Sequence, residues 1–299
     1  MILFLRLPRH LLILILFPLL LSACRPFSGS SEKGGQQETV EQSALQTTGQ
    51  KTIIFEEPEA PESRPASLPD APPKKTGKPD SRPQVAILID DMGYHRRIGE
   101  KLLALDVDLS FSFLPQAPFT TQLEIKAYER GRDILLHLPM EASDSKWNPG
   151  PGALMLAASP AELTETVKKN ILSVPHAIGA NNHMGSKFTE NRAAMHTVLT
   201  VLKHQGMFFV DSFTTAKSTG MDEARAMGIR TNRRHIFLDN VQNTNKICRQ
   251  LDKLAALAQK QHTAIGIGHP YRATLQALQN CTGTLQKTVR IVPVHELVE

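Results

Sequence analysis

Residues 85–93 read Val-Ala-Ile-Leu-Ile-Asp-Asp-Met-Gly: five apolar residues running into two adjacent carboxylates and a glycine. A short unbroken run of mostly branched apolar side chains suits a strand buried on both faces, as in parallel sheets covered by helices. Successive side chains on a strand point to opposite faces, so Asp90 and Asp91 at its end would do different jobs. One could hold a metal ion while the other stood beside it as a base. The alternative is that one aspartate caps the next helix and the other faces water.

The pattern recurs downstream. Apolar runs lie at residues 109–114, 133–138, 177–180, 207–210, around Ile229, and at 264–267 and 289–292, with helical patterns between most of them. Ser159-Pro160-Ala161-Glu162 is a capping box with proline at the first helical position. Leu163, Val167 and Ile171 then share a helical face, as do Ala194, Val198 and Leu202, and Ile247, Leu251, Leu254 and Leu257. Strand–helix alternation predicts an α/β fold with a parallel sheet, and the count of runs predicts a distorted seven- or eight-stranded (β/α) barrel.

The segment before residue 84 is of a different kind. Arg6, Arg9 and His10 precede an apolar stretch over residues 11–21, interrupted by Pro18 and ending in small residues. This predicts a targeting leader over residues 1–23 rather than a membrane span. Leu21-Ser22-Ala23-Cys24 resembles the bacterial lipobox, which implies lipidation of Cys24 and firm attachment to a membrane. Arg25 in the next position points to the outer membrane, with the protein on the periplasmic side. Residues 24–83 are rich in Ser, Gly, Gln, Glu and Pro and predict a disordered, Pro-rich tether, leaving residues 84–299 as the folded domain. The formal net charge is +5, and removing Arg6 and Arg9 with the leader leaves +3, too mild for a nucleic-acid partner. The three cysteines include no CxxC pair, so histidine and carboxylate are the metal-ligand candidates. Placing Cys248 early in one helix and Cys281 at the far end of the next predicts free thiols.

In a barrel of this kind, active sites gather at the carboxyl ends of the strands. Five predicted strands deliver an Asp or a His there: Asp90 and Asp91, His137, His183, Asp211, and His269. Near them lie Glu141, Asn182, Ser186 and Tyr271. The histidines His95, His176, His196, His204, His235 and His262 fall outside the pattern and are read as solvated. One carboxylate and two imidazoles suit zinc or a similar divalent ion. With a base to take a proton from water and a histidine to protonate the leaving group, the set describes metal-assisted hydrolysis of an amide or ester.

The stretches Ile-Asp-Asp-Met-Gly (89–93), His-Leu-Pro-Met-Glu (137–141), Asn-Asn-His-Met-Gly-Ser (181–186), Asp-Ser-Phe-Thr (211–214) and Gly-His-Pro-Tyr (268–271) together resemble the divergent polysaccharide deacetylase family, a branch of the polysaccharide deacetylase superfamily. The resemblance covers roughly residues 84–299. It implies the NodB-like form of the barrel, a divalent metal, and an N-acetylated glycan of the cell envelope as substrate. It further implies Asp90 as base, Asp91 and His137 as metal ligands, and His269 as the acid that protonates the leaving amine. The superfamily places a second histidine four residues after the first; here that position is Glu141. For the third ligand, zinc prefers imidazole to a second carboxylate, which favours His183, with Glu141 as the alternative ligand and otherwise free to orient a ligand histidine. Asn182, Ser186, Asp211 and Tyr271 complete the expected surroundings. The rival expectations are a deacetylase-like barrel that binds glycan or a cell-wall enzyme or other protein with little or no turnover, and a structural lipoprotein with no site.

Overall fold

The computed structural model describes residues 80–299. The predicted leader, the lipidation site at Cys24 and nearly all of the tether lie outside the described residues. Among the described residues nine strands form one wholly parallel sheet: β1 (Gln84–Met92), β2 (Leu109–Phe113), β3 (Ile134–Met140), β4 (Gly179–Met184), β5 (Phe208–Asp211), β6 (Thr231–Arg233), β7 (Ile236–Phe237), β8 (Thr263–Gly268) and β9 (Arg290–Ile291). Seven α-helices accompany them among the described residues: α1 (Arg96–Leu103), α2 (Thr120–Glu129), α3 (Pro160–Leu172), α4 (Arg192–His204), α5 (Gly220–Ala226), α6 (Thr244–Gln261) and α7 (Arg272–Leu285). The strands run in the order β6-β5-β4-β3-β2-β1-β8-β7, and β9 pairs with β1. The two ends of this path, β6 and β7, are joined by only Arg234 and His235. A two-residue link reaches about 10 Å at most, so the sheet must curl until its edges nearly meet. The result is a distorted barrel closed by chain rather than by a ladder.

The sheet divides the core. Val85, Ile87 and Ile89 of β1 face the helices, while Ala86 and Leu88 face the barrel interior, and all five are fully buried. The helices seat as their patterns require. Ser159 and Glu162 form the reciprocal capping box that starts α3, and Leu163 and Val167 are buried against the core. Ala194, Val198 and Leu202 do the same on α4, and Ile247, Leu251 and Leu254 on α6.

The interior at the amino ends of the strands is stoppered by the last turn of the chain. Val294, Leu297 and Val298 pack with Leu88, Leu135 and Ile265. His295 locks this turn by donating from its backbone N–H (2.9 Å) and Nδ1 (2.8 Å) to the Asp133 carboxylate. Truncating Leu297 to alanine empties a closed apolar space, and the expected loss is about 2–4 kcal/mol in urea unfolding.

Three expectations are corrected. The strand expected around Ile229 begins at Thr231, and the two-residue β7 was not foreseen. Several histidines read as solvated have partners: His176 Nδ1 and the Glu124 carboxylate meet at 2.7 Å, His196 Nδ1 and Glu223 at 2.8 Å, and the backbone N–H of Ile265 donates to His235 Nδ1 at 3.0 Å. Cys248 and Cys281 form a disulfide, with Cα atoms 5.8 Å apart. The expectation of free thiols assumed that α6 and α7 start level. In fact Thr244, the first residue of α6, hydrogen-bonds Gln276, five residues into α7, and this stagger brings Cys248 beside Cys281. The bridge closes a span of 33 residues. Its loss in the Cys248→Ala/Cys281→Ala protein should cost about 3–4 kcal/mol in denaturant unfolding, and reduction should change the mass of the alkylated chain.

Candidate functional site

The carboxyl ends of β1, β3, β4 and β8 converge on one cup. β1 does not stop at the first aspartate. Its pairing with β2 slips between Ile89 and Met92, and Asp91 has φ of +56°. Aspartate tolerates this left-handed conformation better than most side chains. The bulge breaks strict alternation, so two consecutive carboxylates enter the same cup: His137 Nε2 lies 3.6 Å from Asp90 Oδ2 and 3.2 Å from Asp91 Oδ1. Gly93, at φ +120°, follows at once; a Cβ there would lie 2.3 Å from Thr120 Oγ1 at the start of α2.

Asp91 Oδ1, His137 Nε2 and His183 Nδ1 form a triangle. The separations are 3.2 Å from Asp91 to His137, 2.9 Å from Asp91 to His183, and 3.3 Å between the ring nitrogens. Four ligands at 2.0–2.1 Å around a tetrahedral ion stand about 3.3 Å from one another. Asp91 Oδ1 is buried and neither ring meets it with hydrogen-bond geometry, so it is an orphaned acceptor. These three atoms fit a divalent cation, and they are the group among the described residues able to hold one. Burial alone would raise the Asp91 carboxyl, but the surrounding histidines, His183 first, hold it well below the usual carboxylate range.

Asn181, which the sequence reading passed over, organises the cup. Its Nδ2 donates to both oxygens of Asp90 (2.9 and 3.0 Å) and to Ser212 Oγ (3.0 Å). A carboxylate only accepts, so the amide oxygen must face the other way. There it receives the Ser112 hydroxyl and His137 Nδ1–H, the latter at 2.9 Å. With its proton fixed on Nδ1, His137 presents the Nε2 lone pair to Asp91 and His183. Asp90 is almost wholly buried. Burial pushes its carboxyl up, and the nearby His137 and His269 offset this only in part.

His269 approaches the other oxygen of Asp91, with Nε2 4.0 Å from Oδ2. Its Nδ1 donates to Asp239 Oδ1 at 2.9 Å, and its backbone N–H to Asp239 Oδ2 at 2.6 Å. The Thr274 hydroxyl donates to the same carboxylate at 2.7 Å. Burial would lower His269, but the bond to Asp239 and the charges of Asp91, Asp239 and Asp90 raise it to about 9. Asp239 was also missed, because it follows the unforeseen β7.

The remaining expected residues sit around the cup. Glu141 is bound by Lys187 Nζ (2.6 Å) and the Leu156 backbone N–H (2.7 Å), and the Lys187 bond lowers its carboxyl. It is not part of the triangle, and the partner of His137 Nδ1 is Asn181 rather than Glu141. Asn182 ties Ser212 N–H (2.9 Å) to the Met184 carbonyl (2.8 Å). Ser186 Oγ accepts from Ser143 N–H at 3.0 Å. Asp211 accepts from Phe213 N–H (2.8 Å), the Ser218 hydroxyl (2.7 Å) and Met221 N–H (3.1 Å), and so anchors the turn into α5. The Tyr271 ring lies 5.5 Å from that of His269, and burial, then Asp91, pushes its hydroxyl up to about 12.

Comparison with known proteins places the chain in a family. Residues 87–298 match the family described as divergent polysaccharide deacetylase. The uncharacterized protein YibQ of Escherichia coli is 34% identical over 215 residues, covering 72% of this chain and 67% of YibQ. An uncharacterized protein of Haemophilus influenzae is 36% identical over 216 residues, covering 72% of this chain and 76% of that protein. The crystal structure of the uncharacterized protein ATU2773 from Agrobacterium tumefaciens has the same fold, with a TM-score of 0.70 at 21% identity, over 75% of this chain and 92% of that one. The chain belongs to the divergent polysaccharide deacetylase family.

Proposed function

We propose that this protein is a metal-dependent hydrolase that removes acetyl groups from an N-acetylated glycan of the cell envelope. The observation that carries the reading is the orphaned Asp91 Oδ1 facing His137 Nε2 and His183 Nδ1, with a second carboxylate and a paired histidine beside them. A bound divalent ion, zinc by the preference of such a donor set, would polarise the acetyl carbonyl and acidify a water. Asp90, oriented by Asn181, takes the proton from the attacking water. Asn181 also keeps the His137 proton on the side away from the cup. His269, held by Asp239 and Thr274, delivers a proton to the departing amine. The disulfide supports a periplasmic location, since such bridges persist in oxidising compartments. Attachment through lipid on Cys24, at the outer membrane, completes the reading.

A second reading is a cup that binds glycan without turnover. The residue four past His137 favours it: Glu141 is committed to Lys187 and the Leu156 backbone. Acetate release from N-acetylglucosamine oligomers separates the two. Turnover that needs added metal and collapses in Asp90→Asn supports the hydrolase. Saturable glycan binding by the metal-loaded protein with no acetate released would replace it with the binding module.

A further inference from the structure

A cleft of about 280 Å³ opens between α6 and the loop that leaves β7. Its floor is apolar, from Leu238 and the half-exposed Val241. One wall is cationic: Lys246, Arg249 and Lys253 line it, and no carboxylate does. Spacings of three and four place these side chains on one stripe of α6. Among the described residues none of the three has an ion-pair partner within 4.0 Å. The arrangement runs against local preference. Like charges three and four apart repel, and a first helical turn favours acids over cations. Yet the first turn of α6 contains Lys246 and no acidic residue. Gln250, on the same stripe, fixes the helix to β7 by donating to the Phe237 carbonyl at 3.0 Å.

Cleft and cup are built on the same stretch of chain. Two of its residues, Leu238 and Asn240, flank Asp239, whose carboxylate holds His269. A polymer with a sugar in the cup could therefore extend into the cleft. We propose that this cleft binds an anionic substituent, a phosphate or a carboxylate, on the same glycan chain. The proposal rests on the glycan reading above and specifies it: the substrate is an acidic glycan. Lysine and arginine supply charge-assisted hydrogen bonds to such groups, and the apolar floor suits the C–H face of a sugar ring.

The test compares N-acetylated oligosaccharides carrying a phosphate or carboxylate with their neutral counterparts, by calorimetric titration of the full chain. The variant is Lys246→Gln/Arg249→Gln/Lys253→Gln, three exposed positions outside the cup. The charged ligand should bind the native protein about tenfold or more tightly than the neutral one. That preference should fade with salt and disappear in the triple variant, with zinc stoichiometry unchanged. Equal affinities in the native protein, no binding of the charged ligand, or a preference that survives the triple substitution would each overturn the proposal. So would charge-dependent binding seen only with vesicles of anionic phospholipid. The readout is binding, so a protein that releases no acetate but discriminates the charged ligand refutes the hydrolase and leaves the acidic-glycan subsite standing.

Discussion

His183→Ala is expected to abolish stoichiometric zinc binding. The substitution removes Nδ1, which stands 2.9 Å from Asp91 Oδ1 and 3.3 Å from His137 Nε2, and leaves two donors where zinc requires at least three from the protein. The comparison with Asn181→Ala and Glu141→Ala gives the prediction its edge. Asn181 touches no ion directly but fixes the His137 tautomer, so its loss should weaken zinc by about 10–100-fold. Glu141 is spent on Lys187 and the Leu156 backbone, so Glu141→Ala should bind zinc almost as the native protein does. Competition titration against a chromogenic chelator ranks the three. A native-like affinity for His183→Ala, or a severe loss for Glu141→Ala, would move the ion to a different set of ligands.

Asp239→Asn is expected to lower kcat for acetate release by about 10²–10⁴-fold with little change in KM. The carboxylate accepts the Nδ1 proton of His269 and so turns Nε2 toward Asp91 and the cup. It also keeps the imidazole protonated: His269 stands raised to about 9 from an ordinary 6.5, with Asp239 the leading favourable contribution. The amide is nearly isosteric but uncharged, so the histidine should lose its proton at lower pH. The alkaline limb of the pH–rate profile therefore moves down. A bound cation would lower the value in both proteins, so the difference between their limbs is the readout. An unchanged limb, or a fall in activity matched by a fall in thermal stability, would make Asp239 a structural residue only.

How much of this was legible in the sequence depends on how each residue announces itself. Asp90, Asp91, His137, His183 and His269 could be found because each follows an apolar run long enough to be seen as a strand. Asp239 obeys the same rule, but its strand is Ile236–Phe237, two residues that no periodicity can distinguish from a loop. Asn181 was hidden for a chemical reason: a neutral amide carries no charge signature, and its neighbour Asn182 is the same residue type with different partners, the Met184 carbonyl and the Ser212 N–H. The convergence of Asp90 and Asp91 ran against the alternation rule, because a bulge and one left-handed residue re-aim the second carboxylate. The disulfide was missed because helix stagger on a curled sheet is set by loop lengths and packing, which spacing along the chain does not encode. The barrel itself was legible, since nearly every strand and helix carries its own pattern and the patterns agree.

A zinc-edge anomalous difference map of crystals of the zinc-loaded protein tests the ligand set directly. One strong peak per chain is expected, ligated by Asp91 Oδ1, His137 Nε2 and His183 Nδ1, with Nδ1 of His137 still bonded to Asn181. A peak at Glu141 or between Asp239 and His269, or no peak in the cup of a folded, zinc-soaked crystal, would contradict it.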